Sequence, residues 1–362
     1  MFKVKIYGAG SIGNHLAQAS RSMGWDVYLC DIDDKALTRT KSQIYPARYG
    51  KWDEAIHLLN VKDAPRDIFD LIIIGTSPDH HVKLALDALT EKPKAILVEK
   101  PFCTPDLVDM EKFHRLANEG GIKVFVGYDH VVGLAAQKVG ELIAQRKRAE
   151  FQSLDVEFRE HWAGIFSAHS WLTGPADTYL GYWQRGGGAS GEHSHAINLW
   201  QHFAHLIGAG RITEVSAMLN YVQDKKVDYD RLCCLNLRTE DGFSGRVVQD
   251  VITMPPRKWG RIQAGNGYIE LTIGFQPGTD AIFWQQDAGA KNEALIKKTR
   301  PDDFITELKH IEKTLQTGDP SPIALERGLD TMLVVAAAHK STKEKRTVII
   351  DYQKGYTGKA LK

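Results

Sequence analysis

Phe2-Lys3-Val4-Lys5-Ile6-Tyr7-Gly8-Ala9-Gly10-Ser11-Ile12-Gly13 decides the fold. Apolar and polar residues alternate to Tyr7, the period of a strand, and the pattern breaks at Gly8. Helical spacing follows, with Ile12, Leu16 and Ala19 on one face, and then a second strand, Val27 to Asp31. A strand, a GxGxxG turn, a helix and a strand make the opening of a dinucleotide-binding βαβ unit. Gly8 permits the tight turn, Gly10 lets backbone approach a pyrophosphate, and Gly13 lets helix and strand pack closely. Ser11 and Ile12 begin the helix, whose N-terminus offers free N–H groups and partial positive charge. Asp31 stands about 20 residues on, where a carboxylate accepts bonds from ribose hydroxyls and repels a 2′-phosphate. The expected cofactor is NAD, with NADP second because Arg39 and Lys41 lie nearby. Without a ligand, the same residues would be a bare glycine turn and a solvated aspartate.

The alternation continues. Residues 70–77 are a short apolar run, as in a parallel strand buried on both faces. A helix at 81–89, a strand at 94–101, a helix at 105–117 and a strand at 122–128 follow. This is a doubly wound parallel sheet, a Rossmann domain over 1–127. Over 128–362 the texture changes to strand-like stretches at 151–159, 213–222, 231–238, 243–251, 259–264 and 267–273, which read as a mainly antiparallel sheet in an α+β domain. Helices are expected at about 191–207, at 304–316 and from Pro322 to Lys343.

Composition narrows the function classes. Lys+Arg is 46 against Asp+Glu 45, so no net field attracts nucleic acid or an anionic membrane. Cys30, Cys103, Cys233 and Cys234 form no CxxC pair and no zinc spacing, and are read as reduced, in a cytoplasmic protein. No run is long enough to span a bilayer, and the first residues show no secretory leader.

Three further segments carry a resemblance: Thr76-Ser77-Pro78-Asp79-His80-His81, Glu99-Lys100-Pro101, and Gly186-Gly187-Gly188-Ala189-Ser190-Gly191-Glu192-His193-Ser194-His195-Ala196-Ile197-Asn198. Together they resemble the Gfo/Idh/MocA family, named for glucose–fructose oxidoreductase and inositol dehydrogenase, nearly end to end. The resemblance implies a catalytic set of Lys100, Glu192 and His195. It implies that Thr76, Pro78 and His81, with Glu99, border the cofactor. The chain departs from the family at Glu192, where aspartate is commoner, in the shorter E-x-S-H spacing, at Asn198, and at Tyr128-Asp129-His130-Val131-Val132, which lacks the usual arginine.

The chemistry read from the residues agrees with that set. Oxidising a secondary alcohol needs a base for the hydroxyl proton while hydride leaves for the nicotinamide. Histidine suits the base, and a lysine beside the reacting oxygen stabilises an alkoxide. Glu192 and His195, three apart, would share a helix face. The bland alternatives are a solvated lysine, a satisfied core histidine and a carboxylate favoured in a helix first turn. His193 and His195 form an HxH pair, but on a helix they point apart, and no metal is expected. His80 and His81 read as loop residues, with His81 the closer to the cofactor. Trp162, Trp171, Trp183 and Tyr182 would stack on a sugar ring or pack at the domain seam. Asp129 and His130 lie at the domain junction.

Three functions compete: an NAD-dependent dehydrogenase of a sugar, polyol or nucleotide sugar; a glycoside hydrolase that retains NAD; and a non-catalytic NAD-binding regulator. Apolar residues on both faces of 231–238 point to a homodimer or homotetramer joined through the second-domain sheet.

Overall fold

In the computed structural model all residues are described except 168, 170 and 288. The first domain contains β1 (Lys3–Tyr7), α1 (Ser11–Ser22), β2 (Asp26–Asp31), α2 (Asp34–Arg39), α3 (Tyr45–Tyr49), β3 (Ile56–Asn60), β4 (Leu71–Ile74), α4 (Pro78–Thr90), β5 (Ala95–Glu99), α5 (Met110–Glu119) and β6 (Lys123–Gly127). The strands form one parallel sheet in the order β3-β2-β1-β4-β5-β6. β4, Leu-Ile-Ile-Ile, is buried along its whole length, as a central parallel strand must be. The order reverses between β1 and β4, so the crevice beyond their carboxyl ends is the switch point where ligands bind.

The second domain contains α6 (Leu134–Ala144), β7 (Phe151–Arg159), α7 (Trp162–Ser167), α8 (Gly188–Glu192), α9 (His195–Ile207), β8 (Ile212–Gln223), β9 (Asp228–Thr239), β10 (Ser244–Asp250), β11 (Arg257–Ala264), β12 (Gly267–Gln276), β13 (Thr279–Gln285), β14 (Lys291–Lys297), α10 (Asp302–Thr317), α11 (Leu325–Glu344) and β15 (Val348–Ile349). Its nine strands run β14-β13-β12-β11-β7-β10-β9-β8-β15 and pair antiparallel, except that β7 and β10 are parallel. Trp200 and Phe203 of α9 are fully buried, and the Trp200 indole donates to the Leu154 carbonyl of β7 at 2.8 Å.

The two domains are stitched together where the site lies. α10 packs on α1, with the His15 and Phe304 rings stacked 5.3 Å apart. Near the chain end, the Val126 N–H donates to the Ile323 carbonyl, and Gly328 fits against the Val126 side chain. Arg185 donates to Asp79 at 2.7 Å, and a Cβ at Gly186 would come within 2.7 Å of the Pro78 side chain. Glycine at 186 therefore lets the second domain close on the N-terminus of α4.

Two expectations need correction. His80 and His81 lie inside α4, because Pro78 is pre-organised for the first helical turn and starts the helix earlier than its apolar pattern does. The helix at about 191–207 is two helices, α8 and α9, interrupted at His193–Ser194.

Candidate active site

The Gly8–Gly13 turn has the geometry a dinucleotide needs. Gly8 takes φ +102°, and a Cβ there would lie 2.7 Å from the Gly75 carbonyl oxygen. A Cβ at Gly13 would overlap the Gly8 carbonyl oxygen, so β1 and α1 meet only through glycine. Around Gly10 the space is open, and among the described residues no side chain caps the start of α1. Its N–H groups are left for an anion. Arg48 donates to the Ser11 carbonyl and hydroxyl, both at 2.7 Å. Asp31 accepts from Ala9 N at 2.8 Å and from Asp33 N at 2.9 Å, which fixes its carboxylate beside the turn. Of the cations that would serve a 2′-phosphate, Lys41 pairs with Glu54 at 3.1 Å, and the Arg39 guanidinium lies 5.1 Å from the Trp171 ring centre. These residues fit NAD.

From the strand ends the site extends to a cavity of about 150 Å³ between the domains. Its wall includes Ile12, Glu99, Lys100, Glu192, His193 and His195. Lys100 follows β5, and its Nζ donates to the Glu192 carbonyl at 2.9 Å and to Glu192 Oε2 at 3.2 Å. The Tyr179 hydroxyl reaches the same carboxylate oxygen at 3.5 Å. Glu192 ends α8 and His195 opens α9, so the pair does not share one helix face. The interruption brings both to the cavity, and it brings His193 there too, which helical spacing would have turned away.

Burial dominates the electrostatics. It pulls the His195 ring well below its usual value, helped by His130 and Lys100, and His193 is drawn down to about 4. Glu99 is pushed up to about 8 by burial, against the pull of Lys100. Its carboxyl lies against Gly127, where any Cβ would collide with it.

Thr76 lies between the end of β4 and α4, Pro78 opens α4, and His81 in the same helix is fully buried. Its Nε2 lies 2.9 Å from the Thr76 carbonyl and its Nδ1 3.0 Å from the Pro101 carbonyl. Its contacts brace the Thr76 and Pro101 turns. The tryptophans pack on protein: Trp162 stacks on Phe166, Trp183 stacks on His339, and neither lines the cavity that holds Lys100.

Sequence reasoning passed over Asp230. This fully buried carboxylate accepts from Ser190 N at 2.7 Å and from Ser190 Oγ at 3.0 Å, fastening the start of α8 two residues before Glu192. Burial pushes it up to about 7. An aspartate inside β9 carries no sequence signal for that contact, because the pairing spans 40 residues. Asp129 lies at the domain junction, within reach of the cleft. It stands with His130 and His195, one ligating atom of each lying within 4.8 Å of the others.

A Rossmann sheet with a glycine turn, joined to a large antiparallel sheet across a cavity holding a lysine, a glutamate and histidines, defines an NAD-binding oxidoreductase fold. Residues 2–128 match the oxidoreductase family with an NAD-binding Rossmann fold, Gfo/Idh/MocA, and the N-terminal domain is of that family. No curated protein matches in sequence. Solved structures are similar over nearly the whole chain. A levoglucosan dehydrogenase in complex with NADH superposes with TM-score 0.77 at 14% identity, over 96% of this chain and 98% of that one. An oxidoreductase from Agrobacterium radiobacter, in complex with NAD+, L-tartaric acid and magnesium, gives 0.74 at 19%, with the same coverage. The WlbA dehydrogenase from Bordetella pertussis, in complex with NADH and UDP-GlcNAcA, gives 0.70 at 17%, again over 96% and 98%. At these identities the likeness establishes the shared fold.

Proposed function

We propose that the protein is an NAD-dependent dehydrogenase that transfers hydride between the nicotinamide and a secondary alcohol carbon of a sugar, polyol or nucleotide sugar. The observation that carries this reading is the junction of Lys100, Glu192 and His195 at one cavity beyond the carboxyl ends of β5 and β6. NAD, when bound, supplies the hydride acceptor. The chain's own residues handle the proton and the orientation. Lys100 holds positive charge where an alkoxide develops. Glu192, already fixed by Lys100 and Tyr179, is placed to accept from substrate hydroxyls. His195, neutral in its buried setting, offers a ring nitrogen to the hydroxyl proton. The levoglucosan and UDP-GlcNAcA named with two of the similar structures support this substrate class.

The test is a screen of sugars, polyols and nucleotide sugars with NAD and NADP, read as absorbance of the reduced cofactor. Reduction of NAD by at least one of them is expected. A protein that binds NAD tightly but reduces none of it across the panel would overturn the reading.

A further inference from the structure

Asp129 Oδ1 faces two imidazoles at once: His195 Nδ1 at 3.8 Å and His130 Nδ1 at 3.7 Å. All three side chains are largely buried, and among the described residues neither Asp129 Oδ1 nor His195 Nδ1 has a hydrogen-bond partner. The two rings lie 4.5 Å apart, centre to centre. His130 lines the catalytic cavity and also a second one of about 240 Å³, and no other described residue belongs to both walls. The second cavity is bounded by Asp302, Asp303, Lys298 and the exposed Lys297 and Lys309, so its mouth is at the surface.

We propose that His195, Asp129 and His130 form a proton path from the catalytic cavity to the second cavity. This rests on the dehydrogenase reading above. The proton balance is as follows. The alcohol proton is taken at His195 Nε2 as hydride leaves the carbon. The His195 imidazolium passes its Nδ1 proton to Asp129 Oδ1. The Asp129 carboxyl passes a proton to His130 Nδ1, and His130 releases its Nε2 proton to water in the second cavity. One proton leaves for each hydride transferred, and each ring regains its starting tautomer before the next turnover by losing the proton on one nitrogen to water and taking one from water on the other. The gaps of 3.7 and 3.8 Å are longer than hydrogen bonds, and catalytic contacts of this kind tighten when substrate seats.

The surroundings give the path a reason. Lys100 after β5, Lys258 of β11, and Lys298 and Arg300 before α10 all set positive charge near the two rings. Glu99 of β5, with Asp303 and the fully buried Glu307 of α10, are the carboxyls beside Asp129 and His130. Burial holds His130 down to about 3. A ring so placed takes up a proton only in passing and does not store it. Asp129 Oδ1, set between the two rings, is the group positioned to receive it.

The test has two arms. In NAD-loaded protein with 15N-labelled histidine at neutral pH, His195 should carry its proton on Nδ1 and His130 on Nε2, and Asp129→Asn should erase the His195 preference. A His195 proton on Nε2 overturns the path, because no lone pair then faces the substrate. In the second arm, with an alcohol identified by the screen, His130→Gln should lower kcat about ten-fold in dilute buffer, below the usual range for a group that itself abstracts the proton. KM should hold, and added imidazole should restore the rate. Unchanged kcat in His130→Gln overturns the path alone, whereas a wild type that reduces no NAD overturns the dehydrogenase reading and the path with it. Stoichiometric zinc in the purified protein, lost in Asp129→Asn, would make the cluster a metal centre and also overturn the path.

Discussion

Lys100 Nζ bonds to both ends of one residue, the Glu192 carbonyl at 2.9 Å and its carboxylate at 3.2 Å, across the boundary between the two sheets. The lysine therefore arrives at the cavity already oriented by the second domain. A turn of the α8–α9 junction would move the glutamate and the lysine together.

The first prediction follows from that pair. Lys100→Met should cut turnover by roughly 10²–10⁴, the scale of a positioned proton-transfer or charge-stabilising group. NAD affinity, measured by calorimetry, should stay within about two-fold, because the glycine turn and Asp31 lie elsewhere. Glu192→Gln should instead act mainly through KM if the carboxylate orients hydroxyls. Near-normal kcat in Lys100→Met would sink the assignment.

The sequence carried the first domain further than the site. Gly8, Gly13 and Asp31 act through contacts that a short stretch of chain specifies, so a motif finds them. β3 went unnoticed because Ile56–Asn60 is a five-residue edge strand with mixed burial and no alternation. β13 and β14 were missed as well, and β14 is a mostly exposed, polar edge strand. The break at His193–Ser194 was illegible because 191–207 is a good helical pattern on both sides of it. Its consequence, His193 in the cavity wall, could only come from the three-dimensional path. Asp230 and the Asp129 cluster depend on residues far apart in sequence, and local periodicity cannot report such pairings.

Cofactor choice is the second prediction. Asp31 accepts from Ala9 N with one oxygen and from Asp33 N with the other, so it shapes the turn where a ribose is expected. Asp31→Ala should weaken NAD by roughly ten-fold or more, the loss of one charge-assisted hydrogen bond being worth about 1.5–3 kcal/mol. It should also narrow the margin over NADP. Fluorescence titration with both reduced cofactors checks this, and a wild type that prefers NADPH contradicts it.

Acid sensitivity is the third. His339 is buried against Trp183, between the Tyr221 hydroxyl at 2.6 Å and Ser190 Oγ at 3.1 Å. Burial lowers it from 6.5 to about 3. The unfolded chain therefore takes up this proton first as pH falls. Stability is intact above about 6.5 and is lost from there toward pH 3, at up to about 1.4 kcal/mol per pH unit for one group. Glu99, raised to about 8, works in the opposite sense, favouring the fold at low pH and losing that contribution as pH rises through its folded value. His339→Gln should lower Tm at neutral pH, yet flatten its decline between pH 6.5 and 4. A slope identical to wild type in calorimetric scans would show that His339 is not a source of the acid response.

Assembly is the last prediction, and it comes from the face of the large sheet that α9 and α11 leave uncovered. Strand pairing aligns Met218 with Cys234, Cys234 with Val248, Val248 with Glu157 and Glu157 with Trp259, so these side chains form one row across β8, β9, β10, β7 and β11. Met218 is 67% exposed, and Cys234, Val248 and Trp259 are half-buried. Leu232 extends the same face, opposite Asn220. A long, mostly apolar row on an open sheet face is costly to leave in water, and a second copy of the same face is the simplest cover, joined about a two-fold axis. We expect a dimer, or a tetramer built from it, by light scattering at micromolar concentration. Met218→Lys combined with Trp259→Glu should dissociate it. The buried partners on the opposite face, Val215, Leu219 and Leu235, are untouched, so circular dichroism should stay native. A wild-type monomer, or an assembly unmoved by the double substitution, would remove this face as the interface.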